Sequence, residues 1–173
     1  MRIKAWFSIL ILGLVLALIA FTFNKTYNYQ LKKMKSRFTV LTLGVDDLKK
    51  SFMFYHEGLG LPSQGIIGKE FEHGDVAFFD LQNEMKLALY SRGNLAWDSN
   101  VKKERSSATE FSIGYTVRSS EEVDSIMALA KSAGAKIPKP AQKTFWGGYA
   151  GYFQDPDGHL WEILWNPGFL PAD

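Results

Sequence analysis

Beyond residue 37, apolar and polar positions follow two periods in turn, one typical of strands and the other typical of helices. Residues 38–45 and 111–117 are apolar-rich runs that predict strands, and each is followed by apolar residues at helical spacing. Ser119 and Glu122 form the pattern of a capping box at the start of the second helix. Each helix is followed by three more predicted strands, near 64–71, 75–81 and 85–90 and then near 136–142, 148–154 and 159–165.

The second half of this pattern repeats the first. An offset of 74 residues pairs Phe79 with Phe153 and Leu87 with Trp161. The sequence therefore predicts an α+β fold of two βαβββ modules that form a curved, U-shaped mixed sheet with helices on its convex face. The modules are predicted at about 37–93 and 109–167 within a domain of residues 37–173, with 94–107 as the polar linker between them.

The two faces of the predicted strands differ in composition, because strand side chains alternate between faces. One face carries large apolar side chains, as expected of a sheet face that packs against helices. The other face is mostly small or polar, which favours a ligand cleft over a close-packed interior, with a solvent-exposed sheet face as the alternative. The apolar set is Leu41, Leu43, Val45, Leu87, Leu89, Ile113, Tyr115, Val117, Trp161, Ile163 and Trp165, and the other set is Val40, Thr42, Gly44, Lys86, Ala88, Tyr90, Ser112, Gly114, Thr116, Leu160, Glu162 and Leu164.

The amino-terminal segment has a different character. Residues 5–23 are a run of 19 residues without a charged side chain, and a helix of that length covers about 28 Å, close to the thickness of a bilayer's hydrocarbon core. This predicts an N-terminal transmembrane helix and a single-pass, membrane-anchored protein of either orientation, with residues 24–36 as a basic linker. The alternatives are a cleaved signal sequence within residues 1–23, or translation from Met34, which would give a cytoplasmic protein.

The charge distribution and the cysteine content exclude several classes of function. The net charge is +2, but residues 1–37 carry seven Lys and Arg residues and no acid, which leaves 13 basic and 18 acidic residues in 38–173. An acidic domain argues against nucleic acid as a partner. The absence of cysteine excludes disulfides, thiolate metal sites and cysteine nucleophiles.

Four stretches of the chain resemble the vicinal oxygen chelate (VOC) superfamily, which includes glyoxalase I, bleomycin-resistance proteins, extradiol dioxygenases and fosfomycin-resistance enzymes. The resemblance is greatest to glyoxalase/bleomycin-resistance-like members, and it implies paired βαβββ modules around a U-shaped cleft, commonly in a homodimer. The matching stretches are VLTLGVDDLKKSFMFYHEGLGL (40–61), MKLALYSR (85–92), EFSIGYTVRSSEEVDSI (110–126) and WGGYAGYFQDPDGHLWEILWNP (146–167).

The resemblance also implies where a metal would be held in metal-dependent members. The four ligand positions correspond to Val40, Ala88, Ser112 and Glu162, and only Glu162 has a side chain that coordinates a divalent ion. We therefore expect no metal and no other cofactor. His56, His73 and His159 are expected on a helix, in a loop and after a turn, away from any ligand set.

The function expected from these observations is the binding of a small organic molecule in the cleft. Glu162 is the candidate acid or base, or the anchor for a basic ligand, and a structural carboxylate is the alternative. The alternative function is a glyoxalase-like lyase or isomerase that uses Glu162 or an incomplete metal site, and a membrane-tethered interaction protein is a third interpretation. The candidate ligand-binding residues are Tyr90, Ser112, Trp146, Tyr149, Tyr152 and Glu162.

Overall fold

The computed structural model describes residues 38–171, which fold into two four-stranded sheets with helices between their strands. The first module contains β1 (Val40–Val45), α1 (Leu48–Met53), β2 (Ser63–Ile67), β3 (Val76–Asp80) and β4 (Lys86–Ser91). Helix α2 (Arg92–Asp98) follows it. The second module contains β5 (Ser112–Val117), α3 (Ser120–Ser132), β6 (Lys136–Lys143), β7 (Tyr149–Gln154) and β8 (Leu160–Trp165). A π-helical turn (Phe54–Gly58) extends α1, and a short 3-10 turn (Gln82–Glu84) precedes β4.

Side-chain caps fix where the helices begin. The Asp47 carboxylate accepts a hydrogen bond from the Lys50 backbone N–H at 2.9 Å at the start of α1. At the start of α3, Ser119 Oγ accepts from the Glu122 N–H at 3.2 Å. The Glu122 carboxylate then accepts from the backbone N–H of Arg118 at 3.0 Å. The predicted start of the second helix at Ser119 is therefore confirmed.

The two sheets have the same strand order, which confirms the predicted repeat. The orders are β1-β4-β3-β2 and β5-β8-β7-β6, with a parallel pair at one edge and antiparallel pairs elsewhere. Phe79 pairs with Leu87 in the first sheet, and Phe153 pairs with Trp161 in the second. The α+β class is confirmed, but the strands of 38–171 form two sheets, not the single mixed sheet that was predicted.

One hydrophobic core lies between the two sheets and the helices α1 and α3. It joins β-strand residues of the predicted apolar face, such as Leu43, Leu89 and Ile163, to α1 and α3 residues such as Leu48 and Val123. Tyr115 is the exception in that set, since it is 46% exposed. The assignment of the large apolar face to the helix side of each sheet therefore holds for most of its members.

The transmembrane helix of the predicted fold, and with it the membrane-anchored localisation, must be corrected. Within residues 38–171 no helix is both long enough and apolar enough to cross a membrane. The longest of these helices, α3, has 13 residues, which corresponds to about 20 Å, and one side of it is polar. Residues 5–23, on which the prediction was placed, and the linker 24–36 lie outside the described residues.

Helix α2 is a second correction, because its residues fall partly in the predicted linker 94–107 and it packs on the face opposite α1. Ser91 Oγ accepts a hydrogen bond from the Asn94 N–H at 3.1 Å and caps the helix. Gly44 makes room for it, because a Cβ at that position would lie 3.4 Å from Leu95 Cδ2 and 3.6 Å from Arg92 Cγ. The small face of the first sheet is thus covered by a helix at one end.

Candidate functional site

The face of the second sheet that points away from α3 carries the main candidate site, and we call it the open face. Glu162 lies at the middle of β8, between Gly114 on β5 and Tyr152 on β7. Glu162 and Tyr152 are half-buried, whereas Ser112 and Gly114 are exposed. A Cβ at Gly114 would have Leu164 Cδ2 as its nearest neighbour at 3.8 Å, so space remains beside the carboxylate. The open face consists of Ser112, Gly114, Thr116, Ala150, Tyr152, Leu160, Glu162 and Leu164.

Tyr152 and Glu162 are paired on adjacent strands of the open face. Burial raises the pKa of Tyr152 to about 12, and the Glu162 carboxylate adds to the shift. The phenol therefore remains a donor at neutral pH. Lys139 Nζ lies 5.4 Å from the centroid of the Tyr152 ring, within the range of a cation–π contact. The arrangement offers a carboxylate, an aromatic surface and a nearby cation to a ligand.

We expect Glu162→Gln to lower the pKa of Tyr152 while leaving it above the ordinary value of about 10, because burial, its largest cause, persists. In the wild type, the contribution of the neutral phenol to stability is present below pH ~10 and is lost as the pH rises through about 12. Tyrosine ¹³Cζ NMR titration measures both pKa values, with Tyr152→Phe to assign the resonance. An unchanged pKa in Glu162→Gln would show that the carboxylate does not act on the phenol.

The other candidate ligand-binding residues are distributed over several surfaces. Ser112 lies on the open face, two residues from Gly114 along β5. Trp146 lies in the β6–β7 turn and packs on Gly148, where a Cβ would lie 1.7 Å from the ring. Tyr149 lies on the helix side of the sheet and donates a hydrogen bond to Asp124 of α3 at 3.0 Å.

Tyr90 belongs to the first sheet and has a local partner there. Its hydroxyl donates to the backbone carbonyl of His73 at 2.5 Å. Burial raises its pKa, and the carboxylates of Asp98 and Asp75 add to the effect. The structure therefore brings Ser112, Tyr152 and Glu162 together and leaves Tyr90 and Tyr149 apart from them.

The four positions that correspond to metal ligands do not provide a ligand set. Val40 and Ala88 belong to the first sheet, and Ser112 and Glu162 to the second. Ala88 is 2% exposed and has no donor atom in its side chain. Within residues 38–171, no three His, Asp or Glu side chains gather into a group that could hold a metal ion. These residues do not fit the metal that the family resemblance implies.

A buried polar cluster joins the two modules, and sequence reasoning missed it. Asp155, the first residue of the turn before β8, is 4% exposed and accepts from Tyr55 OH at 2.7 Å and from the His159 N–H at 2.8 Å. His159 Nδ1 lies 2.8 Å from the same carboxylate, and Trp161 Nε1 donates to Tyr55 OH at 3.1 Å. Burial, reinforced by Asp155, raises the pKa of Tyr55 well above its usual value.

His159 lies directly after the turn, as expected, and it is only 7% exposed, which the sequence did not predict. The signal in the sequence was the spacing of Asp155 and His159 across a tight turn, which brings the two side chains to the same end of the hairpin. His56 lies in the π-helical turn that extends α1 and His73 lies in a loop, and their Nδ1 atoms are 2.8 Å from the Leu61 carbonyl and 3.0 Å from Asn94 Oδ1.

Comparisons with known proteins agree with the fold and with the motifs. The model of the glyoxalase/bleomycin resistance protein/dioxygenase superfamily matches residues 37–163. The uncharacterized protein YraH of Bacillus subtilis (strain 168) is 33% identical over 127 residues, which are 71% of this chain and 93% of that protein.

Solved structures give the same result. A glyoxalase-related enzyme from Fulvimarina pelagi is 34% identical, with a TM-score of 0.66 over 77% of this chain and 90% of that chain. A variant of the fosfomycin resistance protein FosX from Listeria monocytogenes, complexed with Mn(II) and 1S,2S-dihydroxypropylphosphonic acid, is 26% identical, with a TM-score of 0.58 over 75% of this chain and 92% of that chain.

Proposed function

Because the chain belongs to the glyoxalase/bleomycin resistance protein/dioxygenase superfamily, we propose that it binds a small organic molecule on the open face and does so without a divalent metal. The single observation that carries this proposal is the half-buried Glu162 carboxylate beside the empty space at Gly114. A carboxylate in such a position favours a ligand that donates hydrogen bonds, above all an amine or another cation.

The neighbours of Glu162 add to the specificity of the proposed site. Tyr152 lies beside the carboxylate on the adjacent strand, and the carboxylate oxygens are acceptors for a ligand that donates hydrogen bonds. The Tyr152 ring, flanked by Leu160 and Leu164, offers an apolar surface on which an aromatic group would pack. Lys139 would disfavour a ligand that carries its positive charge close to the ring, so we infer that the cationic group lies on the Gly114 side.

The metal-free part of the proposal rests on the side chains at the four ligand positions. A divalent ion needs about three protein ligands for a tight site, and Val40, Ala88 and Ser112 do not supply them. FosX differs in this respect, since its structure contains Mn(II).

The second candidate is a lyase or isomerase in which Glu162 moves a proton. The half-buried position of Glu162 beside Tyr152 supports this candidate, because it leaves the carboxylate within reach of a ligand. Turnover of a bound compound that is lost in Glu162→Gln would favour the enzyme over the binding protein.

We expect primary amines and aromatic cations to raise the melting temperature of the purified full-length protein, and Glu162→Gln to weaken their binding by about tenfold, since about 1.4 kcal/mol is lost with a charge-assisted hydrogen bond. The screen would use benzylamine, tyramine and agmatine as first probes. Glu121→Gln, which removes an exposed carboxylate on α3, is the matched control and should bind as the wild type does.

Elemental analysis and titration with Mn²⁺, Zn²⁺ and Ni²⁺ test the metal-free part separately. We expect less than stoichiometric metal in the purified protein and no shift in melting temperature with any of the three ions. If the purified protein contained one divalent ion per chain and Glu162→Gln lost that ion, the metal-free part of the proposal would be wrong.

We also propose that the protein is a homodimer. Several large apolar side chains of the described residues lie at the surface, among them Phe38, Val40, Phe111 and Tyr115, which are 43–87% exposed. A second copy would remove them from water. Light scattering after size-exclusion chromatography measures the mass, and a monomer at micromolar concentration would contradict the proposal.

A further inference from the structure

A cavity of about 550 Å³ lies on the small face of the first sheet. Its walls are β1, α2, the segment 101–107 and the two residues before β5, with His159 at one side. It shares no lining residue with the open face of the second sheet, and its lining residues Thr42 and Gly44 belong to the strand face that was predicted to form a ligand cleft. Its size is in the range of pockets for small ligands.

Arg92 is the most buried of the four cationic residues that line this cavity. Its side chain is 14% exposed, and its Nε donates to Asp46 Oδ1 at 3.0 Å. Its Nη2 is buried and has no hydrogen-bond partner among residues 38–171. Because a buried donor without an acceptor costs about 1–3 kcal/mol, an anion beside the guanidinium would remove a penalty that the protein alone leaves in place.

The rest of the cavity favours negative charge. Besides Arg92 its lining has three cationic residues, Lys102, Lys103 and Arg105, and two carboxylates, Glu104 and Glu110. Glu104 is paired with Lys102 at 3.1 Å, and the Asp46 carboxylate is paired with Arg92. The lining therefore has an excess of positive charge even when Asp46 is included.

Neutral hydrogen-bonding groups complete the lining. Thr42, Ser106 and Ser107 contribute hydroxyls. Such groups bind the oxygens of an anion without adding negative charge.

We propose that this cavity is a second binding site, which takes the carboxylate or phosphate group of a small anion against the Arg92 guanidinium. The bidentate geometry of a guanidinium suits both groups. The inference is independent of the site at Glu162, since the two sites share no residue.

Isothermal titration of the full-length protein with inorganic phosphate, acetate and benzoate tests this proposal. We expect binding of at least one of them at millimolar concentration or below, weakened at least tenfold in Arg92→Gln and unchanged in Glu162→Gln. Preference for phosphate would identify a phosphate site, and preference for benzoate would identify a site for organic carboxylates.

A second variant keeps the test valid if Arg92→Gln does not fold. Ser106→Glu places a carboxylate at the exposed rim of the cavity and should weaken binding at least fivefold, while Ser132→Glu, an equally exposed change on α3, should not. In the wild type, the Arg92 Nε–H resonance should shift as the anion is added. Absence of binding by all three anions, or equal binding by Ser106→Glu and the wild type, would overturn the proposal.

Discussion

Replacement of Asp155 by alanine is expected to lower the free energy of unfolding by about 3–5 kcal/mol, because it leaves several buried donors without an acceptor. The Tyr55 hydroxyl and the His159 Nδ1 and N–H all lose their partner. Tyr55 is 0% exposed, so water cannot replace the carboxylate. Urea unfolding followed by tryptophan fluorescence measures the change, and Trp161 reports on the cluster directly.

Asp98→Ala is the matched control for Asp155, since Asp98 is exposed at the end of α2. It should change the free energy of unfolding by less than about 0.5 kcal/mol. If Asp155→Ala lowered the free energy of unfolding by less than about 1 kcal/mol, the buried donors would have found other partners. The cluster would then not stabilise the contact between the modules.

The second large effect is expected at the paired phenylalanines of the repeat. Phe79 and Phe153 are 0% and 1% exposed, and replacing either by alanine removes a ring from the core at a cost of about 3–5 kcal/mol. Because both belong to one core cluster, each variant should lower the stability of both modules together. Calorimetry should therefore show one shifted transition in either variant.

Phe145→Ala controls for the loss of a phenylalanine ring, since Phe145 is fully exposed in the β6–β7 turn. It should change the free energy of unfolding by less than about 0.5 kcal/mol relative to the wild type. Two separate transitions in Phe79→Ala, one of them at the wild-type temperature, would show that the modules unfold independently.

Periodicity was sufficient to predict the repeat, because the apolar and polar positions of α1, α3 and most strands of the two modules follow local periods. The offset between Phe79 and Phe153 placed both third strands and their partners in the correct register. Helix caps were equally local, as Asp47 and Ser119 each contact a residue three positions away. These features need no information from the rest of the chain.

The features that sequence reasoning missed depend on contacts between distant segments. Helix α2 is short and polar at one side, and its position depends on the space that Gly44 leaves on another strand. The side chain of Tyr149 lies on the helix side of β7, where its hydroxyl donates a hydrogen bond to Asp124. The predicted transmembrane helix was based on residues 5–23 alone, and the helices of the described chain include none that could span a bilayer.

The site was predictable only at its centre. Glu162 and Tyr152 follow from strand alternation and the hairpin register. Lys139 does not, because the pairing of β6 with β7 is irregular and shifts near this residue. The buried role of His159 requires Tyr55 and Asp155, which are 100 residues apart, to meet.

The turn at residues 155–158 contacts the first module in a way that the equivalent turn of the first module cannot reciprocate. Asp157 accepts a hydrogen bond from the backbone N–H of Asp46 at 2.6 Å and another from the Ser51 hydroxyl. The corresponding turn of the first module, Leu81-Gln82-Asn83-Glu84, has no aspartate to offer in return. Duplicating the first module in place of the second would therefore remove the acceptors for the Asp46 N–H and the Ser51 hydroxyl, so the two modules are not interchangeable.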